Sequence, residues 1–284
     1  MRLLRSQGVL HSIFGVDRPI IGMVHSWPLP GSPRFKHHDL ESVVDFGVAE
    51  ALRLKEGGVD GLLLENAGDV PFVKESDIGF ETAASMAMLG LRIRQETGLP
   101  LGVITVANAA KVAIAVAQAA GASFVRVNQW VNAYVANEGF IEGAAGTALR
   151  YRSWIGADTV RIFADVHVKH GSHAITADRE ISEQAIDAAF FEADVLIATG
   201  TRTGSETTVG EVSEIRSRVN NPVVVGSGFS LANCRALLAV ADGAIIGSSV
   251  KDNGRMHGGQ VDVIKVRALM DVVNEIRAQD PQPA

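Results

Sequence analysis

Short runs rich in valine, isoleucine and leucine recur along the chain, and longer segments of helical period separate them. The runs are PIIGMVH (19–25), VDGLLLEN (59–66), LPLGVITVAN (99–108), SFVRVN (123–128), VRIFADVHVKH (160–170), DVLIATGT (194–201), PVVVGSG (222–228) and DGAIIGSS (242–249). Continuous apolar strands need cover on both faces, which means a parallel sheet with crossover helices. The segments between supply the helices. DLESVVDFGVAEALRLKEGG opens on a capping Asp39 and closes at Gly57-Gly58, and ANAAKVAIAVAQAAG is rich in helix-forming alanine and closes at Gly121. Eight strand–helix units in 284 residues predict an α/β fold, a closed (β/α)8 TIM barrel, with an open doubly wound sheet as the alternative.

No stretch reads as an interdomain linker. Residues 1–284 are therefore taken as a single barrel domain, with 1–18 as an N-terminal extension and 279–284 as a frayed tail. The longest break in the rhythm, QWVNAYVANEGFIEGAA (129–145), is a lid-like loop insertion after the fourth strand.

Composition narrows the function classes. With 47% apolar residues the chain has ample material for a core, and disorder is not expected. The net charge of −6 and the lack of a long basic stretch argue against nucleic acid as a partner. No window of about 18 apolar residues exists, so no membrane span is expected. The N-terminus lacks an apolar core segment and a cleavage site, so no signal peptide is read there. The single Cys234 excludes an intrachain disulfide and favours a reducing compartment, with a cytoplasmic location expected.

In such a barrel the active site lies where strands run out into the loops that follow them. Polar residues gather there on at least five strands. Side chains alternate along a strand, so His25 shares a face with Ile21 and Met23, and Glu65 with Leu63, with Asn66 just beyond. Arg126 and Asn128 share a face, as do Asp165, His167 and Lys169, and as do Thr199 and Thr201. Asn108 ends the third run. Unpaired buried polar groups cost about 1–3 kcal/mol each, so a shared wet mouth is the economical reading.

Plainer readings stand beside each. His25 could be a hydrogen-bonded wall residue, and Arg126 a counter-ion pairing with Asp165 or Glu65. His37 and His38 read as a solvated loop pair rather than a metal site, and Trp27, Trp130 and Tyr134 either wall a pocket or pack the rim. The last two strands end in small residues: Gly226, Ser227 and Gly228, then Gly247, Ser248 and Ser249. Glycine lets a backbone approach a ligand, and phosphate commonly binds after strands seven and eight of a barrel. These six are the candidate phosphate-binding set, with Lys251 adding charge, unless both segments are merely tight turns.

The blocks IFGVDRPIIGMVHSWPLPGSP, VDGLLLENAGDVPF, FVRVN, ADVHVKH, ATGTRTG, VVVGSGFS and ADGAIIGSSVK together resemble the BtpA/SgcQ family. The resemblance implies a (β/α)8 barrel similar to the phosphate-binding barrel group. One member labels the family as a photosystem I biogenesis factor, and others resemble products associated with sugar catabolism. Many members carry an Arg-Asn-Asp-like stretch at the end of the third strand, where this chain reads TVANAA (105–110) and keeps only Asn108.

The leading expectation is an enzyme acting on a phosphorylated sugar or nucleoside-like molecule by acid–base chemistry, as an isomerase, lyase or glycosidic hydrolase. Glu65, Asp165 and His167 would transfer protons, Lys169 and Arg126 would tune them, and His25 and Asn128 would orient a hydroxyl or carbonyl. Asn66, Asn108, Thr199 and Thr201 complete the substrate-binding candidates. A Schiff base on Lys169 is disfavoured because an adjacent Asp or His keeps a lysine charged. The cofactor is left open. A divalent metal on His25, Glu65, Asp165 and His167 is a variant without a local ligand motif. The rivals are a non-catalytic assembly or regulatory factor and a metabolite sensor. Alanine-rich helix faces allow a homo-oligomer.

Overall fold

Strands form where the apolar runs predict them, but shorter. In the computed structural model, which describes residues 8–200 and 207–279, they are β1 (Ile20–His25), β2 (Gly61–Glu65), β3 (Leu101–Ile104), β4 (Phe124–Val127), β5 (Ala133–Ala136), β6 (Gly139–Glu142), β7 (Arg161–Asp165), β8 (Val195–Ala198), β9 (Val223–Val225) and β10 (Ala244–Ile246). Eight of them close into a parallel barrel in the order β1-β2-β3-β4-β7-β8-β9-β10. The open-sheet alternative is thereby excluded. The remaining two, β5 and β6, pair antiparallel as a hairpin within the 129–145 insertion, so that segment is an ordered element and not a plain loop.

Crossover helices follow the strands: α2 (Leu40–Gly57), α3 (Phe80–Thr97), α4 (Ala110–Ala120), α5 (Ala145–Trp154), α6 (Ile181–Phe190), α7 (Val209–Arg216), α8 (Cys234–Leu238) and α9 (Val263–Gln279). Asp39 caps α2 by accepting from the Ser42 N–H at 2.7 Å, and Gly58 ends it in the left-handed conformation at φ 96°. Gln279, expected in a frayed tail, is the last residue of α9; 280–284 lie outside the described residues. No helix among the described residues is long and apolar enough to cross a membrane.

Alternation splits the core in two. Residues such as Ile20, Val24, Leu62, Leu64, Val103 and Val125 face the helices. Ile21, Met23, Leu63, Ile104, Phe124, Phe163, Ile197, Val224 and Ile245 fill the barrel interior. The N-terminal extension is not an appendage. It contains α1 (Gly8–Phe14), whose Leu10 and Phe14 join the interior cluster. Phe14 meets Phe124 edge-on at 5.7 Å, and Phe124 stacks on Phe163 at 4.3 Å. Glycine makes room for these rings: a Cβ on Gly61 would come within 2.4 Å of Phe14, and one on Gly102 within 2.2 Å of Phe124. The filled end leaves the opposite end, where the strands finish, as the place for a site.

Candidate functional site

Following the interior face to the strand ends, apolar residues give way to polar ones. One position beyond Met23 on that face is His25, beyond Leu63 is Glu65, beyond Phe124 is Arg126, and beyond Phe163 is Asp165. On β9 and β10 the same step reaches Gly226 and Gly247. Strand register places His25 directly beside Glu65. The result is a cavity of about 300 Å³ lined by His25, Glu65, Arg126, Asn128, Lys169, the 226–230 turn and the 247–249 turn, over an apolar floor of Met23, Ile104 and Ile245. That size suits a small ligand; such sites span roughly 300–1,000 Å³.

The electrostatics follow from burial. Arg126 Nε and Nη2 donate to Asp165 Oδ1 and Oδ2 at 2.9 and 3.0 Å, a bidentate pair, and Asn128 Nδ2 donates to Oδ2 at 3.1 Å. Burial works against the Arg126 charge, but Asp165 and then Glu65 outweigh it and raise the guanidinium's pKa. Burial raises the pKa of Glu65, with Arg126 and Lys169 pulling the other way. His25 Nε2 lies 4.0 Å from Glu65 Oε2. Burial, joined by the positive charges of Lys251, His257, Lys169 and Arg126, lowers the His25 pKa to about 3, so the imidazole is neutral at physiological pH. Its Nδ1 is buried and has no hydrogen-bond partner among the described residues. Burial and Arg126 lower Lys169 to about 8, and its Nζ donates to Ser227 Oγ at 3.0 Å.

Glycine is required at one wall position, Gly226, and gives close clearance at a second, Gly247. A Cβ on Gly226 would sit 2.3 Å from Ile197 Cγ2 and 3.3 Å from Arg126 Nη2, and one on Gly247 would sit 3.2 Å from His25 Cε1. These two positions leave space for the guanidinium and the imidazole as well as for a ligand.

Several candidates are elsewhere. Asp165 is buried beneath the cavity and spent on Arg126 and Asn128, the counter-ion arrangement weighed for Arg126. The pairing of β7 ends at Asp165, so the alternation expected to carry His167 into the mouth is lost. His167 lines a neighbouring cavity instead, edge-on to His173 at 3.8 Å; burial and His173 lower its pKa to about 4. Asn66 accepts from Val106 N and donates to Asp69, and Asn108 exchanges hydrogen bonds with the Gln129 backbone; both pin loops. Thr199 is buried between Lys169 N and His167 O. Thr201 lies outside the described residues. Lys251 is no phosphate-site cation: its Nζ pairs with buried Glu50 at 3.2 Å and with the Gly259 carbonyl. Trp130 is buried, Tyr134 stacks on His173, and Trp27 stacks on Phe46 at 4.3 Å. His25, Glu65, Asp165 and His167 do not converge, and among the described residues no group of three or more His, Cys, Asp or Glu side chains is placed to hold a metal.

Sequence reasoning missed Phe229, Ser230, Gly254 and Met256 as lining residues. The last two come from KDNGRMHGGQ (251–260), whose Gly and Asn content marks a turn directly after the eighth barrel strand.

A parallel eight-stranded barrel with a polar cavity at its strand ends defines the class: a TIM-barrel protein. The BtpA family profile matches residues 16–275, and the chain belongs to the BtpA family. An uncharacterised protein of Archaeoglobus fulgidus is 38% identical over 255 residues, 90% of this chain and 98% of its own length. The photosystem I biogenesis protein BtpA of Synechocystis is 33% identical over 272 residues, 94% of this chain and 91% of its own. Among solved structures, thiamine phosphate pyrophosphorylase from Pyrococcus furiosus superposes with a TM-score of 0.54 at 19% identity, covering 91% of this chain and 96% of that one. At that identity the likeness concerns the fold alone.

Proposed function

We propose that the protein is an enzyme that moves a proton on a phosphorylated sugar or nucleoside-like small molecule. The observation that carries this reading is a single cavity with a largely buried carboxyl and a neutral imidazole 4.0 Å apart on one side and two glycine–serine turns on the other. A carboxylate base beside an uncharged imidazole suits abstraction of a proton next to a carbonyl: the base takes the proton and the imidazole N–H stabilises the developing oxyanion. Glu65 is the base in this reading and His25 the hydrogen-bond donor. The turns at 226–228 and 247–249 hold the phosphate, and Lys169 and Arg126 supply positive charge. Isomerisation or carbon–carbon cleavage fits better than glycosidic hydrolysis, which normally uses two working carboxyl groups, because Asp165 is locked by Arg126.

The test is a thermal-shift series with dihydroxyacetone phosphate and ribose 5-phosphate, followed by deuterium exchange into the bound compound in D2O. A raised Tm with exchange is expected, and Glu65→Gln keeps the shift while losing at least a hundredfold in exchange rate. No shift with any phosphorylated compound sinks the proposal. A non-catalytic assembly role is the second reading, favoured by the name of the Synechocystis relative. It requires that folded Glu65→Gln protein fully supports the cellular role.

A further inference from the structure

Lys169 carries more than a charge. On sequence grounds its neighbours Asp165 and His167 are expected to hold it as an ammonium. The folded chain weakens both: Glu65 and Asp165 still favour the ammonium from a distance, but burial and the Arg126 charge outweigh them. Asp165 is taken by Arg126 and Asn128. His167 turns into a different cavity. Among the described residues no carboxylate lies within ion-pair distance of Lys169, whose Nζ hydrogen-bonds only to the neutral Ser227 hydroxyl. The amine thus sits in an apolar-floored cavity facing a fixed guanidinium, the setting that frees a lysine lone pair.

We propose that Lys169 is a covalent nucleophile, forming a Schiff base with a phosphorylated carbonyl compound; this rests on the phosphorylated-ligand reading above. The 3.0 Å contact with Ser227 puts the amine beside the 226–228 turn. The carbonyl carbon it meets is therefore one or two carbons from the phosphate ester, as in a triose phosphate. The amine nitrogen attacks that carbon, the nitrogen loses a proton, and the carbonyl oxygen gains one to give a carbinolamine. Protonation of its hydroxyl expels water and leaves an iminium ion. Glu65 then removes a proton from the adjacent carbon, and the electron pair moves through the C=N bond to give an enamine. Reprotonation and addition of water return the free lysine.

Full-length protein is incubated with dihydroxyacetone phosphate and sodium cyanoborohydride at pH 8 and mapped by peptide mass, with the thermal shift measured in parallel. One reduced adduct per chain is expected on Lys169, suppressed by inorganic phosphate and absent in Lys169→Arg. In the wild-type chain, which needs no variant to fold, adduct formation rises with pH around a midpoint near 8, well below surface lysines. A thermal shift without an adduct on Lys169, or labelling spread evenly over surface lysines, overturns the covalent role and leaves the phosphorylated-ligand reading standing. Neither shift nor adduct overturns both.

Discussion

At the scale of single residues, Arg126 organises the mouth. Its guanidinium neutralises buried Asp165 and biases Glu65, His25 and Lys169 at once. Removing one member of a buried pair strands the other charge. Arg126→Met is therefore expected to cost about 3–5 kcal/mol, with much of that recovered in the Arg126→Met, Asp165→Asn double variant, as urea unfolding would read. Glu65 behaves in the opposite way. Its pKa is raised by burial, so ionisation is less favourable in the folded chain than in the unfolded one. Glu65→Gln should raise Tm at pH 7 even as proton exchange is lost; a lowered Tm would contradict the assigned environment. That Arg126 faces Asp165 and Glu65 was legible in the sequence because all three lie within regular strands, where alternation holds; that Asp165 is the one it pairs with, and is thereby taken out of proton transfer, was not. His167 was not legible, because nothing in VRIFADVHVKH marks that pairing stops at Asp165.

At the scale of elements, the barrel is closed at one end by α1 and opens at the other into the cavity. Truncating a buried phenylalanine costs about 3–5 kcal/mol. Phe14→Ala should fall near the lower figure, since the ring lies at the edge of the interior cluster, and should lower Tm without weakening phosphate-dependent thermal shifts. Loss of ligand response would mean that α1 reaches the site. The loop after β10 is held from below: Lys251 pairs with Glu50, and Glu50 also accepts from Val261 N and from Arg53. This strap explains why Lys251 is withdrawn from the mouth while Gly254 and Met256 reach it. Helix caps such as Asp39 and Gly58 were readable locally. The short α1 was not, because its seven residues gain their stability from packing rather than from propensity.

At the scale of the whole molecule, buried His25 and half-buried His167 shape the acid limb of stability. His25 and His167 have folded pKa values near 3 and 4 against 6.5 when unfolded. Between those values the unfolded chain binds more protons, so stability falls as pH drops below 6.5, by up to about 1.4 kcal/mol per pH unit for buried His25 and by less for half-exposed His167, whose surroundings are screened by solvent. The loss ends below the folded pKa values. Glu65 opposes it over the range just above 4.5. Lys169 adds a gain as pH rises from about 8 to 10.5, where the unfolded lysine is still charged and the folded one is not. Urea unfolding from pH 4 to 10 checks both limbs. His25→Gln should flatten the acid limb, and Lys169→Met the alkaline one. What the linear chain determined by itself was the barrel and the set of strands whose ends are polar, because periodicity and alternation are local properties of the backbone. Which of those polar groups meet was decided only by closure. Burial removes water from Glu65, His25 and Lys169 together and gives Asp165 to Arg126, and the point where β7 stops pairing turns His167 away. Those outcomes depend on neighbours far apart in sequence, so no local pattern contains them.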